Sequence, residues 1–124
     1  MPIFVIHKHQ ATHLHYDLRL EIDGVLKSWA VPKTPPRKSG IKRLAMQVED
    51  HELSYADFEG EIPAQEYGAG RVSIWDHGSY DLLEKDKNSL KFKALGKKLK
   101  GVYILYYFPK AGKNAWLFFK VKLR

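Results

Sequence analysis

The stretch His13-Leu14-His15-Tyr16-Asp17-Leu18-Arg19-Leu20-Glu21-Ile22 decides the fold class. Leu14, Tyr16, Leu18, Leu20 and Ile22 share one parity; His13, His15, Asp17, Arg19 and Glu21 share the other. Successive side chains of a strand point to opposite faces, so this segment has one apolar face and one wholly ionisable face. A helix would scatter both sets around its circumference. The ionisable face is expected to meet solvent. Asp23-Gly24 is a two-residue hairpin signal, and Val25 to Val31 runs back as the partner strand.

The same kind of pattern extends in both directions. Ile3 to Ile6 is β-branched and aromatic, as strands are. Pro32 to Gly40 contains three prolines and only positive charges, and reads as a loop. Ile41 to Glu49 alternates again, and residues 50–70 look irregular. Arg71 to Trp75 and Tyr80 to Leu83 suggest a hairpin turning at Asp76-His77-Gly78. Leu90 to Leu95, Val102 to Phe108 and Ala115 to Val121 complete the strands, and Lys97 to Lys100 has room for one helical turn between Gly96 and Gly101. Eight or nine short strands with little helix predict an all-β barrel or sandwich. At 124 residues the chain suits one domain, spanning residues 1–124.

Composition narrows the chemistry. The formal net charge is +7, with six histidines and no cysteine. The missing thiols exclude disulfides, thiolate zinc sites, iron–sulfur clusters and a cysteine nucleophile. Charge arrives at His7 and Lys8, too soon for a signal peptide, and no apolar run suits a membrane helix. The expectation is a soluble cytoplasmic protein with no membrane association and a polyanionic partner. Lys85, Lys87, Lys91 and the later lysines either steer a duplex or keep the protein soluble.

Four histidines fall between residues 7 and 15, with Asp17 close behind. Residues i and i+2 of a strand are roughly 6.6 Å apart, close enough to converge on one ion. His15 with Asp17 meets that condition, and so does His13 with His15. A third ligand must come from another segment, and His9 is the natural candidate, since Gln10-Ala11-Thr12 leaves room for a turn. Two imidazoles and a carboxylate suit manganese, iron or zinc with open positions for substrate. A lone histidine is more often an ordinary polar surface group; four beside an aspartate make a metal pattern.

Arg19 follows on the same face, as a planar fork suited to phosphate or as a salt-bridge partner of Asp17 or Glu21. Lys33, Arg37, Lys38, Lys42 and Arg43 form a basic stretch around the proline loop. Glu49, His51 and Tyr55 are a second small constellation, able to donate to a phosphate oxygen or to serve as ordinary packing. Trp29, Trp75 and Trp116 read as core, and His77 as a turn residue. Gly68-Ala69-Gly70 lacks the third glycine of a dinucleotide loop, and there is no phosphate loop or serine elbow.

The run from His9 through His15, Asp17, Arg19 and Glu21 to Lys33 resembles the 3′-phosphoesterase domain of bacterial DNA ligase D. So do the segments Arg43–Gly60, Tyr67–Gly70, Leu99–Gly101 and Trp116–Lys120. The resemblance implies an antiparallel β-barrel of about eight strands with long loops. It also implies a manganese-dependent enzyme, with cobalt or zinc as alternative ions. Such an enzyme removes a 3′-terminal ribonucleoside and then a 3′-phosphate to leave a 3′-hydroxyl for end joining. Carried over by motif, His9, His15 and Asp17 are the metal ligands, favouring His9 over His13. Arg19 and His51 contact the scissile phosphate, and Lys33, Arg43, Glu49 and Tyr55 support them, Lys33 and Arg43 as further phosphate-binding groups. The implied partners are nucleic acid 3′ ends, and the absence of a KxDG motif leads to the expectation that any DNA ligase is a separate protein.

Two departures bear on these expectations. The chain starts eight residues before His9, whereas ligase-linked members carry a further N-terminal segment used in removing the ribonucleoside. His7 stands where that domain often has glutamine. With no KxDG motif for lysine adenylation, the expectation is a stand-alone phosphoesterase. Two other readings compete. One is a non-catalytic module that binds DNA ends. The other is a cupin-like metal enzyme acting on small molecules, for which the spacing from His13-x-His15 to Glu21 is one residue too long.

Overall fold

In a computed structural model, residues 1–122 are described and form an almost entirely β structure. Nine strands appear in chain order: β1 (Ile3–Gln10), β2 (Leu14–Ile22), β3 (Val25–Val31), β4 (Lys42–His51), β5 (Gly60–Ile62), β6 (Gly70–Asp86), β7 (Ser89–Leu95), β8 (Lys100–Tyr107) and β9 (Ala115–Lys120). The antiparallel order β1-β2-β3-β4-β9-β8-β7-β6 closes through a β1–β6 pairing, giving an eight-stranded barrel. The short β5 pairs with the first residues of β6. Closure leaves the eight barrel strands without a free edge.

The apolar parity identified in β2 fills the barrel. Tyr16, Leu18, Leu20 and Ile22 pack with Phe4, Ile6, Trp29, Val31, Phe92, Tyr103 and Phe118 in one core. The Asp23-Gly24 turn is as expected, with φ of 53° and 80° at its two central residues, the left-handed pair such a hairpin requires. No helix among the described residues is long and apolar enough to cross a membrane.

Three local expectations are corrected. First, there is no hairpin at Asp76-His77-Gly78. β6 runs unbroken from Gly70 to Asp86, and Val5 and Phe4 pair with His77 and Gly78. Gly78 serves close approach: a Cβ there would lie 2.5 Å from the Leu95 carbonyl oxygen. The turn falls later, where Asp86 accepts the Asn88 N–H at 2.7 Å. Second, residues 97–99 form a loop, not a helical turn. Their three N–H groups donate to the buried carboxylate of Asp76.

The third correction concerns the ionisable face of β2. It lies outside the barrel but is not open to solvent: Asp17 is 5% exposed and Arg19 3%. After β4 the chain makes a short 3-10 turn, Leu53–Asp57, whose Ala56 packs with Val5 and Leu26 in a second small apolar cluster. This segment roofs the outer faces of β1, β2 and β3. A polar strand face therefore became the floor of a covered groove, a tertiary effect that alternation alone does not carry.

Candidate metal centre and phosphate-binding groove

Register places the site. Across the β1–β2 ladder His9 faces His15 and His7 faces Asp17, while the β2–β3 ladder sets Arg19 opposite Ser28. Directly paired residues project from the same face, so His7, His9, His15, Asp17, Arg19 and Ser28 form one patch.

One ligand atom each from His9, His15 and Asp17 lies within 4.8 Å of the others. His9 Nδ1 is 3.6 Å and His15 Nε2 is 3.3 Å from Asp17 Oδ2. The far nitrogens are fixed by backbone carbonyls, which only accept. His9 Nε2 donates to Gly68 O at 2.8 Å and His15 Nδ1 to His13 O at 3.1 Å. In the neutral rings the inward nitrogens therefore hold lone pairs, and three acceptors converge on one point. Such an arrangement needs a cation or a shared proton between them. In keeping with this, the His15 ring is held above its ordinary value, first by its hydrogen bond to Asp17. Burial pushes Asp17 up, but the His15 hydrogen bond and the Arg19 charge outweigh it and hold the carboxyl low. The donor set fits a divalent transition metal with second-sphere carbonyls already in place. His13 meets the cluster through its carbonyl, which accepts from His15 Nδ1. Gly68, at φ 78°, makes the turn that delivers the carbonyl to His9.

Arg19 lies beside this cluster with every edge of its fork engaged. Nε donates to His7 Nδ1 at 3.0 Å, and Nη1 donates to Ser28 Oγ at 2.9 Å. Nη1 also reaches His51 Nδ1 at 3.1 Å, and Nη2 lies 3.4 Å from Asp17 Oδ2. The Tyr55 ring sits 5.0 Å from the guanidinium carbon, is stacked on Phe58, and packs 4.7 Å from the His51 ring. Burial pushes the Tyr55 hydroxyl up, keeping it protonated.

His51 reaches the patch through an irregularity. Ser28 pairs with Val48, but Leu26 pairs with His51, so β4 carries an extra residue there. That bulge swaps parity and turns His51 onto the groove face in place of Asp50. His51 Nδ1 lies between the Arg19 donor at 3.1 Å and the Glu49 carbonyl at 3.2 Å; in the tautomer that accepts from Arg19 the ring proton sits on Nε2. Burial, then the Arg19 charge, pushes His51 below its ordinary value.

The structure brings together His9, His15, Asp17, Arg19, His51 and Tyr55. Lys33 and Arg43 are elsewhere, in a cleft of about 220 Å³ shared with Pro32, Lys42 and Leu44, where Arg43 Nε donates to Thr34 O at 2.8 Å. The Glu49 side chain is exposed, and only its carbonyl approaches His51, at 3.2 Å. None of the three touches the His9–Asp17 cluster among the described residues.

Sequence reasoning missed two groups, His7 and Ser28. Neither is exposed, and both serve Arg19. His7 shares the parity of His9, a signal that was present but unused. Burial, then the Arg19 charge, push His7 down to about 4. A ring that titrates near 6.5 unfolded and about 4 folded binds fewer protons when folded. Its contribution is present above pH 6.5 and is lost as pH falls towards 4. Urea unfolding in EDTA is expected to show a loss of up to about 3 kcal/mol across this window. His7→Gln should shrink that loss; an unchanged pH slope in the variant would refute the assignment.

The family model described as the DNA Ligase D 3′-phosphoesterase domain matches residues 7–107. The multifunctional non-homologous end joining protein LigD of Pseudomonas aeruginosa is 49% identical over 125 residues, covering 96% of this chain and 15% of that protein. The multifunctional non-homologous end joining DNA repair protein LigD of Mycobacterium tuberculosis is 60% identical over 78 residues, covering 63% of this chain and 10% of its own length. The LigD protein of Mycolicibacterium smegmatis is 58% identical over the same number of residues. The chain thus spans only a tenth to a seventh of these relatives. With this match running through the whole groove, from His7 to Tyr55, the chain belongs to the DNA ligase D 3′-phosphoesterase domain family.

Proposed function

We propose that this chain is a manganese-dependent phosphoesterase that heals nucleic acid 3′ ends. It removes a terminal ribonucleoside, a terminal phosphate or both, to leave a 3′-hydroxyl for ligation in end joining. The observation that carries this reading is the junction of three converging metal-ligand atoms with a fully braced guanidinium. Family membership supports the end-processing role.

His9, His15 and Asp17 would hold the ion, which when bound supplies Lewis acidity to the phosphoryl group. Arg19 binds phosphoryl oxygens, its aim fixed in advance so that little reorganisation is needed as charge redistributes. His51 carries its proton on Nε2 and donates to a phosphate oxygen or to the leaving oxygen. The Tyr55 hydroxyl stays protonated and donates likewise. Lys33 and Arg43, in their own cleft, hold phosphates further along the strand, and Glu49 lies at the rim of the groove beside His51.

End-labelled primer–templates ending in a 3′-phosphate or a single ribonucleoside test this directly. Manganese should yield a 3′-hydroxyl product, and EDTA should suppress it. Salt-sensitive binding without any product under manganese, cobalt or zinc would overturn the enzyme reading and leave a DNA-end binding module.

A further inference from the structure

We propose that the outward face of β7 and β8, with the loops at their ends, is a second nucleic acid surface that grips a duplex by its backbone. Between residues 87 and 122 every charged side chain is a lysine, ten in all, with no acidic residue. None of them is ion-paired among the described residues. Residues 49–66, which roof the groove, carry seven acidic residues and no lysine or arginine. The excess positive charge of the molecule therefore lies away from the phosphate site.

Strand parity fixes where it lies. Leu90, Phe92 and Ala94 of β7 are buried, so Lys91 and Lys93 point outward; on β8 Tyr103 and Leu105 are buried, so Lys100 points outward. The adjoining loop carries Lys97 and Lys98, its backbone pinned to Asp76. From β2 this face is reached across β3, β4 and β9 one way and across β1 and β6 the other. It is the far side of the barrel, and a terminal phosphate held by Arg19 cannot touch it.

The chemistry favours a phosphate backbone over an acidic protein. Protein interfaces are depleted in lysine and favour arginine, whereas here every cation is lysine. Lysine is a mobile point charge, suited to contacts without sequence preference. Lys91, Lys93 and Lys100 span four residues of the β7–β8 register, roughly 13 Å, and the Lys97–Lys98 loop continues the row beyond the strand ends, enough to follow two or three phosphates. It is bounded at β6, where Asp81 lies opposite Lys93 and Glu84 opposite Lys91.

A covalently closed circular duplex tests this, because it has no 3′ end for the groove. In EDTA and low salt, wild type and His15→Ala should shift the circle equally. The triple variant Lys93→Glu, Lys97→Glu, Lys100→Glu should bind it about tenfold more weakly or worse, with the salt slope reduced by roughly 3. Its melting temperature and its rate on a short 3′-phosphate oligonucleotide should match wild type. Unchanged circle binding by the triple variant, or loss of it in His15→Ala, would overturn the proposal. So would competition by polyglutamate as strong as by linear duplex of equal charge, which would reassign the face to an acidic protein. The circle experiment needs no catalysis, so its outcome is separable from that of the phosphoesterase reading.

Discussion

Asp17→Ala and His15→Ala are both expected to lose activity by a hundredfold or more, of the order seen when a preorganised electrostatic group is removed, yet to differ in stability. Asp17 is buried, with His9, His15 and Arg19 around one of its oxygens. Removing it leaves the Arg19 guanidinium buried without its counter-charge. Breaking a buried pair from one side costs about 3–5 kcal/mol. The carboxyl is held low in the folded state, so this stabilisation is present above the ordinary carboxylate range and fades only as pH falls through the depressed value.

The His15 side chain is 26% exposed and held by the His13 carbonyl on one nitrogen and Asp17 on the other. Its loss should cost stability by about 1 kcal/mol or less. Thermal melts and product formation on a 3′-phosphate oligonucleotide, run on both variants, give the comparison. Calorimetric titration with manganese chloride should show weakened binding in each. An Asp17→Ala protein as stable as wild type would contradict the buried pairing. A His15→Ala protein with full manganese-stimulated activity would remove it from the ligand set.

How much of this was legible follows from the kind of regularity each feature obeys. Period-two alternation from His13 to Ile22 carried the strand, its buried parity and the shared face of His15, Asp17 and Arg19. The Asp23-Gly24 turn was legible because its left-handed backbone demands particular residues. The arrival of His51 was not, since it depends on one extra residue in β4 whose only trace is a change of pairing between Ser28 and Leu26. Burial of the charged face was also hidden. It depends on the Leu53–Asp57 turn folding back over Val5 and Leu26, a contact between segments far apart in sequence. Gly78 misled because glycine marks both turns and close backbone approach, and here it serves the second. The role of His7 was open to parity reasoning, but the sequence does not say that Arg19 would need an acceptor there.

Arg19→Lys keeps the charge and removes the fork, so it separates electrostatics from geometry. The guanidinium presents Nε to His7, Nη1 to Ser28 and His51, and Nη2 to Asp17, with Tyr55 against its face. An ammonium has three donors on one atom and cannot span these directions. His7 Nδ1, which is buried and accepts from Nε, would lose its donor; Ser28 Oγ would lose its donor as well. Each buried group left unpaired costs about 1–3 kcal/mol. The lysine variant should therefore melt lower than wild type despite its unchanged net charge. Because an ammonium without these braces gives a phosphoryl group no donor of fixed direction, turnover on a 3′-phosphate end should fall by about a hundredfold or more. The loss should fall on kcat, since the fork aims at charge that redistributes during the reaction. A lysine variant within a few-fold of wild type would mean that Arg19 contributes its charge alone and that its bracing by His7 and Ser28 serves folding, not the phosphate.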